Sequence, residues 1–404
     1  MSALFSANKR VVSGMRASGK LHLGHYHGVL KNWIKLQHQY DCYFFVADWH
    51  ALTTHYDEPG KIEENLWDMV IDWLACGVNP SLSHVFIQSW VPEHAELHLL
   101  LSMITPLGWL ERVPSYKEQQ EKLHEKDLST YGFLGYPLLQ SADVLLYQAD
   151  YVPVGEDQAP HVELIREVAR RFNHLYGREP NFEEAVNEAI KKMGKKNGTL
   201  YTQLRTKFQQ EGCHESLNTA KALLANQSNL SIGDKERLLG YLDGTGKIIL
   251  NEPHVLLTEH AKMPGLDGQK MSKSYNNTIS LREDPADIEK KILTMPTDPA
   301  RVKRTDPGEP DRCPLWQFHK VYSSEEVKTW AQTGCRTAGI GCVDCKRPVI
   351  DAIQNELKPI QASIAEFKQD LGSVKRIVAE GSEQAREEAN KTLTDVREAM
   401  GLDY

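Results

Sequence analysis

The stretch RVVSGMRASGKLHLGHYHGVLKNWIKLQ, residues 10–37, decides how the chain is read. RVVSG has the β-branched and small residues of a buried strand. HYHGVLKNWIKLQ carries its apolar positions at helical spacing. Between them, Gly14, Gly19 and Gly24 let the backbone come close to a ligand. A helix starting near Gly24 aims free N–H groups at that ligand. Strand, glycine-punctuated turn and helix together open a βαβ unit.

The pattern repeats outward. CYFFVADW (42–49) reads as a strand, EENLWDMVIDWLACG (63–77) as a helix, HVFIQSW (84–90) as a strand and HAELHLLLSMI (94–104) as a helix. Alternation at this spacing predicts an α/β fold whose parallel sheet is covered on both faces, with ligands at the carboxyl ends of its strands. From about Gly177 the texture changes. Residues 181–210 and 216–242 carry a 3.6-residue period with no strand-like run, and the chain is again helical after Leu281. The expected division is a parallel-sheet domain at 1–177, a helical insertion at 178–248, a return to the first domain at 249–281 and a helical C-terminal domain at 282–404.

With 404 residues, 41% of them hydrophobic and 25% charged, the chain has material for two or three ordinary globular domains. No run reaches the ~18 apolar residues of a membrane span. MSALFSANKR lacks the apolar core of a secretion signal. The expectation is a cytoplasmic protein with no membrane partner, in which thiols stay reduced. A net charge of −8 excludes a uniformly basic surface but leaves room for a local basic face. The mixed-charge run KEQQEKLHEKD (117–127) reads as a solvated face. So do Lys191, Lys192, Lys195 and Lys196, for which contact with a nucleic acid is the alternative.

Two short motifs carry chemistry. His22-Leu23-Gly24-His25 places two histidines around a glycine, where they can reach phosphate oxygens. Lys270-Met271-Ser272-Lys273-Ser274 lies on a glycine-flanked segment and suits a triphosphate. Alone, the first is a weak match and the second equals a solvated polar turn. In this order, the pair resembles the signatures of class I aminoacyl-tRNA synthetases. GYPLLQSADVLLYQADYVPVGEDQAPHVELIREVARRFN (135–173) further resembles the bacterial type of tryptophanyl-tRNA synthetase. The resemblance covers nearly all of the chain outside about 178–248. It implies a Rossmann-like catalytic domain, ATP with Mg²⁺, L-tryptophan and tRNA(Trp) as substrates, a homodimer, and a helical C-terminal region that reads the anticodon.

Residue by residue, the resemblance implies that His22, His25, Lys270 and Lys273 are catalytic. ATP would meet Arg16, Ala17, Ser18, Gly24, His25, the ribose-binding turn Gly155-Glu156-Asp157, Met263, and the loop Lys270, Met271, Ser272, Lys273 and Ser274. Arg16-Ala17-Ser18 departs from the Gln-Pro-Ser common in the family, so contacts at residue 16 differ in detail. The indole N–H of tryptophan only donates, and its pocket needs one buried acceptor. Asp143 holds that family position, among the apolar neighbours Ala142 and Val144-Leu145-Leu146. Tyr136 and Gln158 match the groups that hold the amino acid's ammonium and carboxylate. Val12, Val152 and Val154 suit apolar walls, or equally core packing. The nearest rival is a tyrosyl-tRNA synthetase, which would need a site for a phenol hydroxyl. A silent RNA-binding paralogue would have no reason to keep both motifs, and a small-molecule nucleotidylyltransferase leaves the second motif unexplained.

Four of the seven cysteines form the pattern C-x21-C-x6-C-x2-C at Cys313, Cys335, Cys342 and Cys345. Four thiolates suit tetrahedral zinc or a 4Fe–4S cluster. Only the last two cysteines form the short pair usual for structural zinc. The x6 gap, with Gly339 and Gly341, leaves slack for a bulkier cubane. Some tryptophanyl-tRNA synthetases carry a cluster with similar spacing, so the expectation is 4Fe–4S with zinc as the alternative. With the cysteines in a separate domain, their loss is expected to spare amino-acid activation.

Overall fold

The structure is a computed structural model that describes residues 9–113, 130–155, 158–178, 181–257 and 263–404. Its five-stranded sheet runs in the order β3-β2-β1-β4-β5, with β1 at Arg10–Arg16, β2 at Asp41–Ala47, β3 at Ser83–Ile87, β4 at Tyr151–Val154 and β5 at His254–Leu257. The pairs β2–β3, β1–β4 and β4–β5 are parallel, with Cys42 opposite Ser83 and Tyr151 opposite His254. The α/β expectation of a parallel sheet with many helices holds. The chain folds as two compact units. One comprises the residues up to Ser13, Gln88–Leu257 and Ser382–Tyr404; the other comprises Gly14–Ile87 and Thr258–Gly381.

In the second unit, the helix expected from near Gly24 onward is broken. A single turn at Leu23–His25 passes into a π-helical turn at Tyr26–Leu30 before α1, Lys31–Leu36, resumes α geometry. π turns shift the register of side chains and recur at functional sites. Helices α2 (Asp48–His55) and α3 (Gly60–Cys76) follow. Trp33 stacks on Phe44 at 4.3 Å and meets Trp73 edge-on at 4.9 Å, all three buried. Such aromatic pairs add about 1 kcal/mol each beyond the area they bury. A Cβ on Gly14 would lie 2.4 Å from the edge of the Phe45 ring, so glycine leaves room for that ring against β1. The later part of this unit is helical, with α11 at Pro285–Thr294, α12 at Pro314–Tyr322, α13 at Glu325–Arg336 and α14 at Cys342–Gln369. The start of α15 (Leu371–Met400) also belongs here.

The strand expected through Trp90 ends with β3 at Ile87, and the first unit takes over at Gln88. Gln88–Trp90 form a 3₁₀ turn instead, because Pro92 follows and cannot donate to a sheet ladder. Helix α4 (Glu93–Ser102) comes next, then α5 (Tyr131–Leu145) and α6 (Ala159–Tyr176). Four more helices, α7 (Phe182–Lys192), α8 (Gly194–Glu211), α9 (His214–Ala225) and α10 (Ile232–Asp243), enclose their own core of Phe182, Val186, Tyr201, Leu224 and Leu238. The Tyr201 hydroxyl donates to the Leu238 carbonyl at 2.6 Å, which satisfies the one polar atom that ring buries. The chain enters and leaves this cluster at one place. Lys247 N–H donates to the Gly177 carbonyl at 2.6 Å, and Gly246 has no room for a Cβ against the Gly177 backbone. Asn173 clamps the exit: its Oδ1 accepts from the N–H groups of Ile249 and Leu250 at 2.8 and 3.0 Å. Lys192 pairs with Asp234 at 2.9 Å, while Lys191, Lys195 and Lys196 are exposed. The mixed-charge run 117–127 lies outside the described residues. Among the described residues, no helix is long and apolar enough to cross a membrane.

Candidate functional site

Both signature motifs fall in the second unit. His22 caps the turn after β1: its Nδ1 accepts from the Gly24 N–H at 3.1 Å, and the His25 Nδ1 accepts from the His22 N–H at 3.3 Å. With both Nδ1 atoms accepting, each ring carries its proton on Nε2 and presents a donor. Burial, then the charge of Lys273, holds His22 down to about 4. Burial, then His22 and Lys273, holds His25 well below the usual histidine range. Both rings are therefore neutral donors at neutral pH. A Cβ on Gly24 would lie 2.8 Å from the His22 ring, so the glycine is what lets that ring fold back.

Lys273 brings the motifs together by donating from Nζ to the Ser18 carbonyl at 3.0 Å. Ser18 N–H in turn donates to the Arg16 carbonyl at 2.8 Å, while Ala17 is buried. Gly19 turns at φ +102°, a left-handed value that suits glycine. Burial lowers Lys273 to about 8. Met271 is buried and donates its N–H to the carbonyl of Met263 at 3.3 Å, whereas Lys270 is exposed. Lys273-Ser274-Tyr275 form a 3₁₀ turn. The loop is held by Asn277, whose Oδ1 accepts from Ser272 N–H at 2.8 Å and whose Nδ2 donates to Asp267 at 2.8 Å and to the Lys270 carbonyl at 3.2 Å. Beside it opens a cavity of about 340 Å³ lined by Lys20, His22, Lys273, Ser280, Arg282 and Lys291, among others. Glu283, Asp284 and Asp287 line it too, and Arg282 and Lys291 are paired with carboxylates, so Lys20, Lys273 and the neutral donor His22 are the groups there that suit phosphate oxygens.

The other proposed residues lie in the first unit. Asp143 is fully buried on α5, and its Oδ1 accepts from Gln88 Nε2 and from His94 Nδ1, both at 2.7 Å. His94 Nε2 meets the Tyr147 hydroxyl at 2.7 Å. Gln88 Oε1 is buried and has no hydrogen-bond partner among the described residues, so this network ends in an unused acceptor. Tyr136 stands seven residues before Asp143 on the same face of α5, its ring 6.2 Å from that of His161. Val12 on β1 and Val152 on β4 are buried; Val154 and Gly155 are half-buried. Gln158 precedes α6 and donates its N–H to the Gly155 carbonyl at 3.0 Å. Glu156 and Asp157 lie outside the described residues.

The four cysteines return to the second unit. Cys313 caps α12, Cys335 lies in the last turn of α13, Cys342 opens α14 and Cys345 follows one turn on. Burial pushes the thiols of Cys313, Cys335 and Cys345 up, Cys345 to about 12, and the neighbouring cysteines push each further. The His319 Nε2 lies 3.0 Å from the Cys345 carbonyl and 3.4 Å from its Sγ. Lys346 is buried, donating to the carbonyls of Leu293 and Met295 at 2.8 and 2.6 Å. The four thiols thus share one electrostatic neighbourhood. Among the described residues, however, no group of three or more His, Cys, Asp or Glu side chains is set to hold a metal ion.

Comparison with known proteins decides between the synthetase readings. The family of class I tRNA synthetases for tryptophan and tyrosine matches residues 6–212 and 226–358. A tryptophan–tRNA ligase from Ralstonia nicotianae is 63% identical over 98% of this chain and 99% of its own length. One from Thermotoga maritima is 43% identical over 97% and 99%. The chain belongs to the tryptophanyl-tRNA synthetases. A solved tryptophanyl-tRNA synthetase from Campylobacter jejuni, complexed with ADP and tryptophan, is similar in fold, with a TM-score of 0.71 at 26% identity, over 97% of this chain and all of that one.

For a tryptophanyl-tRNA synthetase, the sequence reading missed the residues that support the motifs. Asn277 was legible only as part of the polar run YNNT after the second motif. Gln88 and His94 had a clearer signal, since they follow directly on the carboxyl end of a parallel strand, where such sheets place ligands.

Proposed function

We infer that the chain activates L-tryptophan with ATP and transfers it to the 3′ end of tRNA(Trp). In the first step the tryptophan carboxylate attacks the α-phosphate of ATP, forming the adenylate and releasing pyrophosphate; Mg²⁺ arrives with ATP as part of that substrate. No side chain need act as a nucleophile, so the protein contributes positioning and charge. The observation that carries this reading is the Lys273–Ser18 contact, which joins the second motif to the loop leading into His22 and His25. In this reading the two Nε2–H groups hold phosphate oxygens, and Lys270 and Lys273 offset charge on the departing pyrophosphate. Arg16, Ala17, Ser18, Gly24, Gly155, Glu156, Asp157, Met263, Met271, Ser272 and Ser274 surround the nucleotide. Asp143 accepts the indole N–H, Tyr136 and Gln158 take the ammonium and carboxylate, and Val12, Val152 and Val154 wall the ring. ATP–pyrophosphate exchange over a panel of amino acids tests the assignment. Tryptophan-dependent exchange is expected, and exchange driven by tyrosine would overturn it.

We further propose that Cys313, Cys335, Cys342 and Cys345 hold a 4Fe–4S cluster, with zinc as the alternative. Support comes from the donor set itself: four thiols, of which Cys313, Cys335 and Cys345 are each raised by burial and by neighbouring cysteines, with the buried ammonium of Lys346 and the imidazole of His319 beside them. Its part would be structural, tying together the starts of α12 and α14 in a helical region that reads the anticodon. Anaerobically purified protein should be brown, with about four irons per chain; colourless protein with one zinc would decide for the alternative. Leu99, Met103, Leu107 and Tyr131 expose apolar surface on the first unit, which supports a homodimer. A cytoplasmic location fits the reduced thiols this reading requires.

A further inference from the structure

Two residues past the H-x-G-H motif, inside the π turn, His27 enters a cluster that the reaction itself does not require. Its Nε2 lies 2.9 Å from Glu356 Oε2 and 2.9 Å from the Tyr322 hydroxyl. Lys31, one turn on, donates to Glu356 Oε1 at 2.7 Å and reaches His27 Nδ1 at 3.3 Å. An ammonium only donates, so His27 Nδ1 is an acceptor and Nε2 is the ring's donor toward the carboxylate. The Tyr322 hydroxyl donates to the same Glu356 Oε2 at 2.9 Å. One carboxylate thus gathers three donors, from the π turn, from α1 and from α12. His27 is 6% exposed and Glu356 20%, whereas Lys31 is 39% exposed, so water screens the lysine far more than the histidine. Burial pushes Glu356 up, but the hydrogen bonds from His27 and Lys31 and the charge of Lys31 outweigh it and hold the carboxyl well below the usual carboxylate range.

The two helices that supply Tyr322 and Glu356 both begin at cysteines. Tyr322 ends α12, which Cys313 caps. Glu356 is eleven residues beyond Cys345 on α14, about 17 Å along the axis. The cysteines and the H-x-G-H turn also belong to one compact unit. We propose that Glu356 is a positioning residue for the H-x-G-H turn, holding His27 and Lys31 so that packing at the cysteine-bearing ends of α12 and α14 sets the placement of His22 and His25. The inference rests on His22 and His25 binding the nucleotide. A strut of this kind acts through geometry: a misplacement of about 1 Å at a phosphate donor is enough to cost a large part of the rate.

The test is ATP–pyrophosphate exchange with the full-length protein. Glu356→Ala should lower kcat/KM for ATP about tenfold, with KM for tryptophan within twofold of wild type. Glu356→Gln keeps the shape and should fall between the two. The charge exchange Lys31→Glu with Glu356→Lys should recover part of the loss seen in either single variant. Amide hydrogen exchange over residues 22–31 should quicken in Glu356→Gln and, independently of activity, in Cys342→Ser. Unchanged ATP kinetics in a folded Glu356→Ala protein would overturn the proposal. So would a parallel rise of both KM values, which marks general destabilisation, or unaltered amide exchange in Cys342→Ser. His25→Ala serves as the reference. If that variant retains full exchange, the nucleotide assignment fails, whatever Glu356 does.

Discussion

Asp143 and Lys273 are both ionisable groups on which the proposed chemistry depends, yet their surroundings are opposite in kind, one buried and the other exposed. Asp143 is 1% exposed and is fixed by side chains drawn from two places, the 3₁₀ turn after β3 and α4. Lys273 sits on a short turn beside an open cavity and rests on a single backbone carbonyl. The first arrangement resists rearrangement, because each polar atom left unpaired there costs about 1–3 kcal/mol. The second can let go of Ser18 for the cost of one hydrogen bond. The difference separates two tasks. Choosing an amino acid needs an acceptor that does not adapt to the wrong ring, whereas phosphoryl chemistry needs a cation that can follow the charge as it moves.

The largest effect should come from removing the mobile cation. Lys273→Ala is expected to lower kcat of ATP–pyrophosphate exchange by about 10²–10³-fold while KM for tryptophan stays within twofold; full activity in that variant would break the contrast. Next is the rigid side. Asp143→Ala should cost about 10²-fold in kcat/KM for tryptophan and weaken discrimination against phenylalanine. His94→Ala, which removes only one donor to that carboxylate, should cost about tenfold. If His94→Ala proved as damaging as Asp143→Ala, the histidine would be more than a support.

The smallest effect is a pH dependence. Burial holds the free Lys273 at about 8, below its ordinary value, so it is charged below that pH and loses its proton as pH rises through it. kcat/KM for ATP, which reports the free enzyme, should therefore fall above about pH 8. Lys273→Arg should remove this fall, since a guanidinium keeps its proton. kcat/KM for tryptophan measured at saturating ATP should stay flat over the same range, because bound phosphates hold the proton on Lys273.

The same contrast explains what was legible in the sequence. The turn around Lys273 is built from contiguous residues, so H-x-G-H and K-M-S-K-S could be read directly, as could the α/β alternation that places them. The support of Asp143 comes from Gln88, His94 and Tyr147, scattered over sixty residues, and no local pattern links them. Asn277 was hidden for a related reason, since its burial depends on packing against Gly265 and Asp267 rather than on its neighbours in the chain. The π turn was invisible too, because one inserted residue per turn leaves the apolar period nearly unchanged. Glu356 read as one more charge on an amphipathic helix, and only the fold brings it to His27.

The place where α7–α10 join the rest of the first unit has a consequence for how such a chain can change. Gly177 and Lys247 are hydrogen-bonded to each other, so the strand of chain going out and the one coming back are already side by side. A deletion from one to the other would need no new path and almost no loop-closure entropy. The four helices carry their own core, so removing them exposes little that they had covered. This module can be gained, lost or exchanged in a single genetic step, with Asn173 remaining to receive whatever returns.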